Sequence, residues 1–156
     1  MKKAGFLLLL LTGIFTLKAQ TAIQNKKAGQ LIKDFYLAHA QIWAIKPAPP
    51  FKILENKLDS LQKIYCTPDL RKEAKDWLKD DGHDLITNDW GIDRKSLKAM
   101  TIVGNLNKKN TYTVSYVTLF HYAPNKYEKK HIILHVSLVK DNGALKIAAV
   151  IDSTKR

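Results

Sequence analysis

The sequence is poor in the residues that build several common kinds of functional site. Its only cysteine is Cys66, so a disulfide within the chain is excluded and packing must hold the fold. No base stands beside Cys66 in the sequence, so a buried and inert thiol is predicted. The seven glycines are scattered and form no G-x-G-x-x-G, Walker or G-x-S-x-G pattern. Nucleotide binding of those types and the serine-hydrolase motif are therefore unsupported.

Acidic residues are also scarce, because 14 of them stand against 26 lysines and arginines, which gives a net charge of +12. A basic chain suggests a nucleic-acid partner. However, two lysine clusters of the second half, Lys108-Lys109 and Lys126, Lys129 and Lys130, precede and follow one strand-like run. Successive turns of an antiparallel sheet place such clusters at opposite ends. We therefore predict no nucleic-acid partner and expect attraction to anionic envelope surfaces instead.

The N-terminus has the three regions of a signal peptide. Two lysines precede an apolar run, Ala4–Leu17, and Ala19 then suits a cleavage site before Gln20. The apolar run is shorter than the ~20 residues that span a bilayer, which disfavours the alternative of a membrane anchor. We predict a signal peptide over residues 1–19, a periplasmic or secreted protein, and a single α+β domain over residues 20–156. The signal peptide holds three lysines and no acid, so the mature chain keeps a charge of +9.

Apolar residues recur at three- and four-residue spacing through the first half of the chain, which predicts amphipathic helices. The first spans Gln24–Ile45 and ends at the proline-rich segment Lys46–Pro50. The second spans Ile53–Tyr65. Thr67 suits the N-cap of a third helix, with Pro68 at its first position.

The second half has strand-like runs separated by turn residues. The predicted strands are Leu97–Val103, Tyr112–Phe120, His131–Val139 and Leu145–Ile151, with a turn at Asn105–Asn110 and a longer loop at His121–Lys130. Helices followed by strands predict an α+β fold in which the N-terminal helices pack on a curved antiparallel sheet.

The last two predicted strands flank the dipeptide Asn142-Gly143, which suits a two-residue type I′ turn. Pairing Asp141 with Ala144 fixes the register of this hairpin. The register that follows puts Leu138 opposite Ile147, Val136 opposite Ala149 and Leu134 opposite Ile151. Two apolar faces coincide in this register, so we expect that face to turn toward the helices.

A polar segment, Asp80–Asp93, links the helices to the strands and includes Asp84 and Asp89. It is interpreted mainly as a solvated linker, although its carboxylates suit a hard cation or acid–base work. Its spacing matches no calcium-binding loop. His131 and His135 stand four apart on a strand, a span of about 13 Å that one ion cannot bridge. We therefore predict no metal site and no cofactor.

Five short motifs carry a resemblance to known proteins. They are Phe35-Tyr36, Tyr65–Leu70, Asp84 with Asn88-Asp89-Trp90, Tyr112–Tyr116 and Leu145–Ile147. The chain resembles the nuclear-transport-factor-like or cystatin-like superfamily and, more narrowly, the domain-of-unknown-function 3828 family of small exported bacterial proteins. Such families often close with Trp-Lys-Ile, where this chain has Leu145-Lys146-Ile147. The resemblance implies a cone-like fold and a periplasmic setting, and no settled activity.

An exported chain with a cone-like fold and no assembled catalytic motif predicts a non-catalytic binding module. Its partner would be a small molecule, an envelope component or a protein. The candidate pocket residues are Tyr36, His39, Trp43, Trp77, Asp89, Trp90 and Tyr116. For the aromatic residues the alternative is plain core packing, and for His39 it is a hydrogen-bonded boundary position. A small pocket enzyme that uses Asp89 with Tyr116 or His39 for proton transfer is the alternative function.

The predicted outer face of the sheet is too apolar for a face in contact with water. Ile133, His135, Val139 and Val150 lie on it in the register above. A second copy of the sheet is the simplest cover, which predicts a homodimer. The alternatives are cover by the first helix or the His121–Lys130 loop, and a different protein partner.

Overall fold

The computed structural model describes residues 25–80, 84–87, 94–123 and 126–153. The predicted signal peptide lies outside these residues, as do Asp89 and Trp90. The described helices are α1 (25–43), α2 (Phe51–Tyr65), α3 (Pro68–Asp80) and α4 (Arg94–Lys98). The strands are β1 (Thr101–Gly104), β2 (Thr111–Ala123), β3 (Lys126–Asp141) and β4 (Ala144–Asp152), and they form an antiparallel sheet in the order β1-β2-β3-β4.

α3 begins as the sequence predicts. The backbone N–H of Leu70 donates to Thr67 Oγ1 at 3.4 Å, and the N–H of Arg71 donates to the Thr67 carbonyl at 3.0 Å. The Arg71 guanidinium also donates to both carboxylate oxygens of Asp59 in α2, at 2.8 and 2.9 Å. These contacts join α2 to α3 across the short connection that holds Cys66.

The main apolar core lies between the helices and one face of the sheet. The inward residues of β3 are at most 3% exposed, and they are Ile132, Leu134, Val136 and Leu138. From α1, Ile32, Phe35 and Tyr36 are fully buried against this face. Burying one large apolar side chain stabilises a fold by ~1.5–3 kcal/mol, so these rows hold α1 on the sheet. The predicted α+β class, with helices packed on an antiparallel sheet, is confirmed.

The β3–β4 hairpin turns at the predicted dipeptide but departs from the predicted register. Asn142 and Gly143 have φ of 48° and 82°, as a type I′ turn requires. Leu138 pairs with Ile147 as expected, and a β-bulge then shifts the register.

Beyond the bulge Val136 pairs with Val150 instead of Ala149, and Leu134 pairs with Asp152 instead of Ile151. Ala148 is the extra residue of β4, and an extra residue inverts the faces that follow it. Val150 is therefore buried at 9% exposure, and its predicted place on the outer face is wrong.

Two other boundaries differ from the prediction. Leu97 belongs to α4 and not to the first strand, which begins at Thr101. The predicted loop His121–Lys130 is largely strand, because β2 continues to Ala123 and β3 begins at Lys126. The strand in residues 126–130 was not predicted because these residues are exposed on both faces and therefore show no alternation of apolar and polar residues.

The outer face of the sheet is open to solvent in the described part of the chain. Ile133 is 39% exposed, Val139 40% and Ile151 57%. Neither α1 nor the segment predicted as a loop covers them. Among the described helices, none combines the length and the apolar character needed to cross a membrane.

Candidate functional site

A buried ion pair joins α1 to the segment 84–87. His39 follows Phe35 by one turn of α1, so its side chain enters the core, where it is fully buried. Its Nε2 contacts Oδ2 of Asp84, which is 3% exposed. The predicted boundary position of His39 and the predicted solvated linker at Asp84 are therefore wrong. Both side chains are buried, and their burial is tolerated because they pair with each other.

The segment 84–87 is also held by its backbone. Asp84 Oδ1 accepts a hydrogen bond from the Ile86 N–H at 2.8 Å. The Tyr36 hydroxyl donates to the Ile86 carbonyl at 3.0 Å, and the Tyr116 hydroxyl donates to the Thr87 carbonyl. The two tyrosine rings lie 6.4 Å apart between α1 and β2. These bonds satisfy polar backbone groups that would otherwise be buried without partners.

Burial and charge set the ionisation of this cluster. Burial by itself raises the pKa of Asp84, but the attraction and hydrogen bond of His39, with backbone N–H donors, hold that pKa below its ordinary value. Burial, with a smaller effect from Asp84, raises the pKa of Tyr36 far above its ordinary value. The same causes raise the pKa of the Cys66 thiol to about 12. Tyr36 therefore stays a donor, and Cys66 stays a protonated thiol as predicted.

The structure gathers some of the predicted pocket residues and separates others. Tyr36, His39 and Tyr116 meet around the segment 84–87, and the ring of Trp43 lies 6.4 Å from that of His39. Trp77 is on α3, where it lines a separate surface depression with acidic residues of that helix.

Asp84 is the site residue that the sequence analysis missed. The signal available was the apolar pair Leu85-Ile86 inside an otherwise polar linker, since apolar residues there indicate a buried segment. Ile86 is fully buried in the main core.

Three polar atoms beside the ion pair lack hydrogen-bond partners among the described residues. They are Nδ1 of His39, Nε1 of Trp43 and Oγ1 of Thr87. His39 has no exposed surface, so the pair has no open route to a substrate in this conformation. Within the described residues, no three His, Cys, Asp or Glu side chains are grouped to hold a metal ion. The cluster is thus arranged as an anchor of the segment 84–87 on α1.

A wide-open concavity lies between α1 and α2, and we call it the α1–α2 groove. Its volume is about 750 Å³. The lining residues are mostly apolar and comprise Ala38, Gln41, Ile42 and Ile45 of α1 and its C-terminal turn, with Ile53, Asn56, Lys57, Ser60, Leu61 and Ile64 of α2. Ile53 is 46% exposed and Ile64 64%, and both lie on the face of α2 that carries the exposed Asn56, Lys57 and Ser60, beside the face that buries Leu54, Leu58 and Leu61.

The polar part of the groove is confined to its middle. Asn56, Lys57 and Ser60 lie between Ile53 at one end of the α2 wall and Ile64 at the other. No carboxylate lines the groove, and Lys57 forms no ion pair among the described residues. The groove therefore combines two apolar ends with one unpaired cation.

Comparisons with known proteins address the fold alone. No protein-family model matches the chain, and no curated protein matches it either. The fold is similar to that of a crystallised protein of unknown function from Bacteroides thetaiotaomicron, with a TM-score of 0.72 and 17% sequence identity. The match covers 88% of this chain and 98% of the other. At this identity the likeness establishes a shared α+β fold and carries no information about activity.

Proposed function

We propose that this protein is an exported, non-catalytic binding module whose binding surface is the α1–α2 groove. The observation that carries the proposal is the groove itself. It encloses about 750 Å³ and is lined by six apolar residues and by the polar residues Gln41, Asn56, Lys57 and Ser60. Sites for small ligands have this size and this combination of apolar walls and few polar groups.

The ligand that fits the groove is an amphiphile with an apolar chain and one anionic group. The apolar ends of the groove would remove the chain from water, at about 25 cal/mol for each Å² buried. The Lys57 ammonium would bind the anionic group, and Asn56 and Gln41 are the amide side chains of the same lining. A cationic ligand is disfavoured because no carboxylate lines the groove.

The buried cluster around His39 and Asp84 supports a non-catalytic function. His39 is engaged with Asp84, and the Tyr116 hydroxyl donates to the Thr87 carbonyl. His39 and Tyr116, the two residues named with Asp89 for the alternative enzyme, thus both bind the segment 84–87. The alternative with Asp89 stays a prediction, since Asp89 lies outside the described residues.

Export and family membership are further parts of the proposal. The order of helices before an antiparallel sheet suits a cone-like, nuclear-transport-factor-like or cystatin-like protein of the domain-of-unknown-function 3828 family. The leader sequence supports a periplasmic or secreted location. N-terminal sequencing of the protein from its native envelope should begin at or near Gln20, and an intact Met1 on a membrane-bound form would contradict cleavage.

A fluorescent fatty acid tests the groove. Dansyl-undecanoic acid should bind with increased emission, and its uncharged methyl ester should bind more weakly. Ile53→Ser should lower the affinity roughly fivefold, because it removes about 1 kcal/mol of apolar contact. Lys57→Glu should lower it by a similar factor at low salt, and the effect should shrink as salt screens the charge.

Matched controls exist for both variants. Lys33→Glu makes the same charge change at an exposed position of α1 away from the groove. Ile151→Ser removes an exposed isoleucine from the outer sheet face. Both should leave the affinity within a factor of two of the parent, roughly the scatter of remote surface changes. Equal losses in variant and control would show that the probe binds elsewhere, and the groove would then not be the binding surface.

A further inference from the structure

Three segments that are distant in sequence meet at one end of the sheet. They are the first turn of α1 (25–27), the β1–β2 turn (105–110) and the β3–β4 hairpin end (140–143), and we call them together the basic end. The Tyr112 hydroxyl donates to Asn25 Oδ1 at 3.2 Å, which sets α1 beside the β1–β2 turn. The Leu138 N–H donates to the Asn110 carbonyl at 2.8 Å, which sets β3 on the other side of that turn.

The basic end carries a concentrated positive charge. Its five lysines are all exposed, and they are Lys26, Lys27, Lys108, Lys109 and Lys140. None of them forms an ion pair among the described residues. The same three segments hold one carboxylate, that of Asp141, which already accepts a hydrogen bond from Asn142 Nδ2 at 3.2 Å. The sequence showed Lys108 and Lys109 as an isolated pair, and only the fold adds the other three.

The β1–β2 turn of the basic end also carries an exposed apolar side chain. Leu106, at the tip of the β1–β2 turn, is fully exposed, and Val103 at the end of β1 is 61% exposed. A single exposed leucine is ordinary on a protein surface. A fully exposed leucine two residues from a lysine pair offers the two interactions that hold a protein at a bilayer interface, which are burial of apolar area and attraction to anionic lipids.

We infer that the basic end docks on an anionic phospholipid bilayer. The lysines would lie at the headgroup phosphates, where each contributes favourably near an anionic surface, and Leu106 would enter the apolar boundary beneath them. A soluble polyanion such as a polysaccharide would use the lysines alone and gain nothing from Leu106. The inference uses a surface separate from the α1–α2 groove and does not depend on ligand binding there.

The opposite end of β2 is less suited to this role. It presents Lys126, Lys129 and Lys130, and Glu128 lies among them. β2 is 13 residues long, which separates the two ends by roughly 40 Å at strand rise. When β2 is perpendicular to the membrane plane, a flat membrane therefore contacts only one of the two ends.

Vesicle co-sedimentation of the processed protein tests the inference. Vesicles of phosphatidylethanolamine with 30 mol% phosphatidylglycerol are compared with vesicles of phosphatidylcholine at about 50 mM salt. Binding is expected on the first and not on the second. Lys108→Glu with Lys109→Glu should lower the partition coefficient roughly tenfold or more. Lys129→Glu with Lys130→Glu changes the net charge equally at the other end and should lower it less than threefold.

The leucine distinguishes a membrane from a soluble polyanion. Leu106→Ser should weaken vesicle binding roughly threefold to tenfold while leaving retention on heparin unchanged. Equal losses from the two lysine pairs would overturn the inference, because general attraction would then suffice. Vesicle binding that is indifferent to Leu106 would also overturn it, because the lysines alone would then account for the binding.

Discussion

Removing the charge of Asp84 should destabilise the protein far more than its small change in shape suggests. In Asp84→Asn the side-chain oxygen can still accept from the Ile86 N–H, so the main loss is the ion pair with His39. Breaking a buried pair at one partner costs about 3–5 kcal/mol, and the retained hydrogen bond favours the lower value. We expect a loss of about 3 kcal/mol, which lowers Tm by roughly 10 °C for a domain of this size.

Urea denaturation followed by tryptophan fluorescence measures this loss, and Trp43 beside His39 reports on the same region. The control is Asp59→Asn, which breaks the partly exposed pair with Arg71 and should cost about 0–1 kcal/mol. His39→Leu combined with Asp84→Asn should cost less than the sum of the two single changes, because both remove one interaction.

The effect should depend on pH with a definite sign. The pKa of Asp84 is lowered in the folded protein, so its stabilising contribution is present above the ordinary value of 3.8 and is lost as the pH falls through the folded pKa. The stability difference between the parent and Asp84→Asn should therefore be complete near pH 7 and shrink below about pH 4. Two results would contradict this prediction. One is a loss of unfolding free energy at pH 7 in Asp84→Asn that is no larger than in Asp59→Asn. The other is a stability difference between the parent and Asp84→Asn that grows as the pH falls.

Three further predictions follow from the hairpin, the thiol and the outer face. Gly143→Val should cost about 1–2 kcal/mol in thermal denaturation, because a β-branched residue is forced to a φ of 82°, whereas unchanged stability would exclude the type I′ turn. Cys66 should not react with a thiol reagent at pH 8 until urea unfolds the protein, since it is 3% exposed and its pKa is about 12; rapid reaction of the folded protein would contradict its burial. The outer face should form a homodimer through Ile133, His135 and Val139, with Ile151 in the place predicted for Val150. Light scattering should show a monomer in Ile133→Lys and a dimer in the control Ile64→Lys, and a parent protein that is monomeric at high concentration would contradict this dimer.

The hairpin shows both the reach and the limit of reasoning from sequence. The turn residues and the alternation along β3 were enough to place Ile132, Leu134, Val136 and Leu138 in the core. They could not reveal the bulge at Ala148, because Ala149 and Val150 are both apolar and either one satisfies the inward face. The pattern was therefore enough to predict which residues of β3 face the core, but the register of β4 beyond Ile147 remained ambiguous by one residue.

The candidate site was predicted only in part for a related reason. Tyr36, His39 and Tyr116 lie on periodic elements, so their faces could be read from the sequence. Asp84 lies in a segment without periodicity, and a carboxylate there is normally solvated. Its burial depends on His39, which is 45 residues away in the chain, and no local pattern reports such a pairing.

The basic end illustrates the same limit for charge. The sequence allowed the conclusion that Lys108-Lys109 and the lysines near Lys129 lie at opposite ends of the sheet. It gave no indication that α1 starts beside the β1–β2 turn, which the hydrogen bond from Tyr112 to Asn25 establishes.

The most direct test of the proposed function is to locate the ligand on the folded protein. Amide chemical shifts of the ¹⁵N-labelled protein, recorded during titration with decanoate below its micelle concentration, report the contact surface residue by residue. We expect saturable shifts centred on Ala38–Ile45 and Ile53–Ile64, with a titration midpoint roughly fivefold higher in Ile53→Ser. Shifts centred on the outer sheet face around Ile133 and Ile151, or non-saturable shifts spread over the whole chain, would contradict the α1–α2 groove as the binding surface.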